Sequence, residues 1–95
     1  MSVTAILLGT AQDGGLPQVG CSCANCSRAW ADAAQRRLVA CLGLVDRPEG
    51  KQGLGWLIDA TPDFREQLHL LNAATGSAHL AGMLLTHAHV GHYAG

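Results

Sequence analysis

The sequence predicts an α/β (α+β) fold. Three observations carry that expectation: four short apolar runs bounded by turn residues, an amphipathic helix signal between the third and fourth of them, and 48% hydrophobic against 14% charged residues. The composition excludes ordinary disorder, and the alternation of strand-length and helical segments is that of packed sheet and helix layers. Ninety-five residues suffice for one small domain. With one Phe and one Tyr beside Trp30 and Trp56, its core would rest on Leu, Val and Ala and be marginal, as expected of a fragment.

Residues 3–8 read as a first strand running into Gly9, followed by a glycine-rich loop over 10–17 whose Asp13-Gly14-Gly15 step is turn chemistry. Ser27 is a candidate N-cap for a short helix over 28–35. Residues 37–45 read as a strand and 46–53 as a turn, so the strand over 54–58 should pair back as a hairpin. Asp59 ends that strand. Thr61 is then expected as N-cap and Pro62 as first helical residue, with Asp63 adding favourable charge and Phe64, Leu68 and Leu71 forming the buried stripe. Gly76, Ser77 and Ala78 turn the chain into a final run, 81–85, expected to be a buried strand. His69 is expected to be an exposed or partly satisfied side chain of the helix rather than a ligand, while His79 is ambiguous.

Chemistry is concentrated at two places. After the last strand, His87, His89 and His92 put three imidazoles within a short stretch. Imidazole nitrogen is a common ligand of zinc and other borderline metals. In extended backbone His87 and His89 point the same way, and His92 enters from another direction as the chain turns. The paired Cys and His spacing of zinc fingers and the His-Glu-x-x-His pattern are both absent. The second place is the loop with Cys21, Cys23 and Cys26, a Cys-x-Cys-x-x-Cys clip. A structural zinc site needs four ligands and this loop supplies three, so the fourth is expected beyond Gly95 or is absent. Cys41 lies in an apolar run and reads as a small buried hydrophobe. Neighbours such as Cys21 and Cys23 are awkward to cross-link, and there is no basic secretory leader at the amino terminus, which argues against a disulfide framework.

A net charge of -1 leaves no footprint for nucleic acid. No run approaches the ~20 apolar residues that span a bilayer. A cytoplasmic location is therefore expected, with neither nucleic acid nor membrane as partner.

This order of elements and the motif over 86–92 resemble the amino-terminal half of the metallo-β-lactamase-fold superfamily, whose complete fold is an αββα sandwich. Within it, residues 8–18 followed by Cys21-x-Cys23-x-x-Cys26 resemble the pyrroloquinoline quinone (PQQ) biosynthesis protein B group. The same cysteine loop is similar to that of the phosphonate-pathway cyclic phosphodiesterase. The resemblance implies that residues 1–95 are the amino-terminal part of one such domain, the whole needing roughly twice this length or more. It further implies His87 and His89 as ligands of a first catalytic metal, His92 of a second, and Cys21, Cys23 and Cys26 as holders of a structural zinc. The superfamily pattern is His-x-His-x-Asp-His. Here Gly91 stands at the Asp position, which points to a mononuclear or altered site. Asp59 matches a strand-end Asp that hydrogen-bonds the ligands, and it reads equally as a helix-start acid.

The implied activity is that of a metal-dependent hydrolase or related oxidoreductase on a small-molecule substrate. Zinc would serve attack on a phosphodiester, ester or lactone by metal-bound hydroxide, and iron would serve oxygen chemistry on a quinone precursor. The alternatives are a cyclic phosphodiesterase and a non-catalytic zinc-binding module. An unpaired sheet edge implies a homo-oligomer or a missing carboxyl-terminal half, and a chain that is inactive or aggregates alone.

Overall fold

The computed structural model describes residues 2–48, 52–76 and 78–95. These residues form a four-stranded sheet in sequence order: β1 (Ser2–Gly9), β2 (Cys41–Arg47), β3 (Leu54–Ile58) and β4 (His79–Leu84). The helices are α1 (Ala24–Ala31), α2 (Phe64–Thr75) and the single turn α3 (Val90–Tyr93). The mixed α/β class expected from the sequence is thus the one observed.

β1 pairs antiparallel with β2, and β2 antiparallel with β3 through the expected hairpin, Leu44 facing Trp56. The connecting turn was expected over 46–53; its residues 49–51 lie outside the described residues, as does Ser77 of the later turn. β3 and β4 are parallel, which requires a crossover, and α2 supplies it. β1, β3 and β4 therefore all end at the same edge of the sheet. That edge carries the chemistry.

The core is one layer deep. Leu8, Cys41, Val45, Leu57 and Leu71 are buried together, with Ile6, Phe64, Leu80 and Met83 packed around them. Alternate β2 residues Cys41, Gly43 and Val45 face α2, as period-two alternation requires. Gly43 has no side chain because there is no room for one: a Cβ there would stand 2.7 Å from Leu71 Cδ1 and 2.8 Å from Leu8 Cδ1. α2 ends at Gly76, left-handed at φ 81°, whose N–H donates to Asn72 O. No helix of the described residues is long and apolar enough to cross a membrane.

Five expectations need correction. The first helix begins at Ala24, not after Ser27, because Cys23 Sγ caps it by accepting from Cys26 N–H at 3.4 Å; Asp32 caps a separate 3-10 turn, Ala33–Gln35. The strand expected over 37–45 begins at Cys41. Residues before it are diverted to the glycine-rich loop, Leu38 O accepting from Thr10 and Ala11, and Arg37 pairing with Leu16. α2 begins at Phe64 rather than Pro62, since Thr61 Oγ1 accepts from Asp63 N–H in a turn that precedes the helix. Its buried stripe is Gln67 and Leu71, with Phe64 and Leu68 half-buried. β4 lies at an edge of the described sheet and is half-exposed, not buried. His79 begins β4 and is exposed, and His69 is exposed on α2.

Candidate metal centre

Asp59 occupies the turn directly after β3, with φ 74°. Asp is among the few non-glycine residues that enter the left-handed region at modest cost. This conformation turns its N–H onto Leu84 O at 2.7 Å and buries its carboxylate, 5% exposed, among the residues that follow β4. Oδ1 accepts from the Thr86 N–H at 2.8 Å, the Thr86 hydroxyl lies 2.9 Å from both carboxylate oxygens, and Oδ2 is 2.6 Å from His92 Nδ1. Burial works against ionisation. The bonds from the Thr86 N–H, His92 and the Thr86 hydroxyl outweigh it and hold this carboxyl below its usual range.

These bonds fix the histidine tautomers. An ionised carboxylate only accepts, so His92 must carry its proton on Nδ1, and Thr86 must spend its hydroxyl hydrogen on Asp59. The Thr86 oxygen, 2.8 Å from His87 Nδ1, is then an acceptor, and His87 too is protonated on Nδ1. Both rings thus present Nε2 outward, the arrangement in which outer hydrogen bonds orient metal-binding histidines. The rings cluster: the His87 centroid lies 4.6 Å from that of His89 and 4.1 Å from that of His92. His92 Nε2 faces Asp13 Oδ1 at 3.0 Å. The bond to Asp59 raises the His92 pKa above its usual value, burial opposes the rise, and the charges of Asp59 and Asp13 reinforce it.

The cysteine loop forms a second cluster. Donor atoms of Cys21, Cys23 and Cys26 all lie within 4.8 Å of one another. Among the described residues this is the set of three whose donors converge so closely; the histidine rings are gathered but less tightly focused. Cys23, with its sulfur accepting from Cys26 N–H and hydrogen-bonded by the Cys21 and Cys26 thiols, has its pKa lowered to about 7, so much of it is thiolate at neutral pH. At Cys26 the Gln18 N–H favours the thiolate, but burial and the neighbouring sulfurs outweigh it and push the thiol up. Cys41 stands apart in the core as expected, its pKa raised to about 11 by burial and the nearby Asp59 charge. Soft sulfurs suit zinc, while imidazole with carboxylate suits several borderline cations.

Both clusters border one open cleft of about 1010 Å³, whose lining includes Asp13, Cys21, Cys23, Cys26, His89 and His92. The sequence pointed to Asp59, the histidines and the cysteines. It did not single out Thr86, which locks His87, or Asp13, which reads as a turn residue beside two glycines. The strand-end position of Thr86, next to the first histidine, was the available signal for it.

No family model matches the chain. The chain is 41% identical over 96 residues to a coenzyme PQQ synthesis protein B of Methylobacterium sp. (strain 4-46), and 35% identical over 95 residues to the protein of that name from Methylorubrum extorquens (strain PA1). These alignments cover 96% and 95% of the chain but 31% of each relative, so the chain spans about a third of their length. Among solved structures it resembles a diphosphatase of the PhnP family, with a TM-score of 0.68 and 35% identity over 99% of this chain and 33% of that one. It also resembles Zn(2+)-bound PqqB from Methylobacterium extorquens, with a TM-score of 0.66 and 34% identity over 96% of this chain and 31% of that one.

Proposed function

We propose that this chain, a partial metallo-β-lactamase fold resembling coenzyme PQQ synthesis protein B, is the part of a metal-dependent enzyme that carries most of its metal-binding side chains. Residues 1–95 then belong to one larger domain. His87, His89 and His92 hold the catalytic metal, and Cys21, Cys23 and Cys26 hold a structural zinc. The observation that carries the reading is the Asp59–Thr86 network, which commits Nδ1 of His87 and His92 and turns both Nε2 atoms away from it, that of His92 toward Asp13, at the edge where β1, β3 and β4 end. The zinc of the PqqB neighbour supports zinc as the metal, with iron as the other candidate at the histidines. A metal held by His87, His89 and His92 would supply Lewis-acid polarisation of a substrate oxygen and acidification of water, the chemistry of hydrolysis. The chain's own contribution is to orient the rings, neutralise charge through Asp59 and Asp13, and shape an open cleft for a small-molecule substrate. A role in PQQ biosynthesis, a cytoplasmic location, and assembly with a second copy or with the rest of the domain belong to the same reading.

A second reading is hydrolysis of a phosphate ester or diphosphate, favoured by the likeness to the PhnP-family diphosphatase. Elemental analysis of the intact protein tests the common ground. Cys23→Ser should remove one metal equivalent and His89→Ala another. If neither variant loses metal, the proposal fails. Turnover of diphosphate and phosphodiester substrates by the intact protein would favour the second reading over the first.

A further inference from the structure

We infer that Asp13, from the glycine-rich loop after β1, is a carboxylate ligand of the histidine metal centre, in the space that a side chain at position 91 would otherwise fill. The inference rests on the metal-centre reading above and assigns it a residue that the histidine motif does not contain.

Three observations point to it. Gly91 is buried, and a Cβ placed on it would lie 2.4 Å from Asp13 Cα, 2.5 Å from Asp13 Cβ and 2.7 Å from Asp13 Cγ. Two side chains cannot share that volume. Whatever a residue at 91 would aim toward the rings, Asp13 aims from another segment. Second, Asp13 Oδ1 stands 3.0 Å from His92 Nε2, and that nitrogen is the one Asp59 leaves uncommitted. Donor atoms bound to one ion at about 2.0–2.2 Å stand about 3 Å apart, so the pair already has the spacing of two ligands in one coordination shell. Third, the Asp13 side chain is 39% exposed and lines the same cleft as His89 and His92, so a cation can reach it. Asp59, by contrast, is enclosed, with its oxygens bonded to Thr86 and His92. The two carboxylates therefore divide the work: Asp59 orients a ring, and Asp13 faces the ion.

A hard carboxylate oxygen added to imidazoles broadens the cations the site accepts toward manganese and iron as well as zinc. It also lowers the net charge of the site by one.

Cobalt(II) titration of the intact protein reads the two centres separately, since cobalt on the cysteines gives thiolate charge-transfer absorption and cobalt on the histidines does not. In Asp13→Asn and Asp13→Ala, the thiolate-free equivalent should bind about tenfold more weakly or worse, with the thiolate band unchanged as the control for folding. Moving the carboxylate back, by Asp13→Gly combined with Gly91→Asp, should recover most of the lost affinity. If both single variants bind cobalt as tightly as the parent while His89→Ala loses it, Asp13 is only an ion-pair partner of His92, and the inference is overturned with the metal centre intact. If His89→Ala also keeps that equivalent, the histidine centre itself is refuted and Asp13 with it.

Discussion

Asp59 and His92, far apart in sequence, are joined by the shortest contact of the site, 2.6 Å between Oδ2 and Nδ1. One residue ends β3 and the other lies on α3, so this bond ties two ends of the same sheet edge together and selects the ring nitrogen that faces the cleft. Asp59→Asn keeps a residue that tolerates the left-handed backbone while removing the charge. We expect zinc or cobalt affinity at the histidines to fall about 10- to 100-fold, read by competition with a chromophoric chelator. An unchanged affinity would mean that Asp59 does not orient the ring.

The same pair gives the metal-free protein a pH signature. His92 has its pKa raised above the usual 6.5, so its contribution is fully present below that value and is lost as pH rises through the higher folded value. Asp59 has its pKa lowered below the usual 3.8, so its contribution is present above 3.8 and is lost as pH falls through the lower folded value. The stability gap between the parent and Asp59→Asn should therefore be widest between pH 3.8 and 6.5, measured by urea unfolding in chelator. A gap that is flat with pH would contradict this.

Thiol chemistry should separate Cys23 from Cys41. With metal removed, iodoacetamide should label Cys23 with a midpoint near pH 7, whereas Cys41, buried and raised to about 11, should stay unlabelled until the protein is unfolded. Peptide mass analysis across a pH series reads both. Bound zinc should suppress Cys23 labelling, which makes the same assay a report on occupancy of the cysteine loop.

Gln67 should prove costly to replace. It is fully buried, its Nε2 donates to Val39 O at 2.7 Å, and Thr61 Oγ1 donates to its Oε1 at 2.5 Å, so one side chain holds α2 to the segment leading into β2. Gln67→Leu strands those partners, and we expect a loss of about 1–3 kcal/mol in denaturant unfolding. A loss no larger than that of an exposed α2 substitution such as Arg65→Ala would show that the network is dispensable.

The parts of the fold that were legible in sequence are those set by local pattern. β1, the β2–β3 hairpin and the body of α2 follow from runs of apolar residues and their punctuation. What was not legible depends on partners distant in the chain. Residues 38–40 are as apolar as a strand, yet the backbone bonds of Leu38 and Ala40 go to the loop after β1 and those of Val39 to the Asp63 and Gln67 side chains, so β2 starts late. α1 starts early because a thiol does the work usually given to Ser or Asp, and Ser27, the conventional candidate, falls inside the helix and donates to Ser22 O instead. The site shows the same division. The histidine and cysteine groups were visible as spacings, and Asp59 as a strand-end acid, whereas the contact of Asp13 with His92 exists only once β1 and β4 end at one edge.

Cys23 is at once the N-cap of α1 and a member of the sulfur cluster. Any event that alters the chemistry of that sulfur is therefore felt by the helix that begins beside it. Oxidation of this single atom would change the cap of α1 and the donor set of the cluster together, so damage to the cysteine loop should register at the first helix before it registers anywhere in the sheet. Such a protein would age from its first helix inward, while the histidine edge, held by carboxylates that peroxide does not attack, kept its shape.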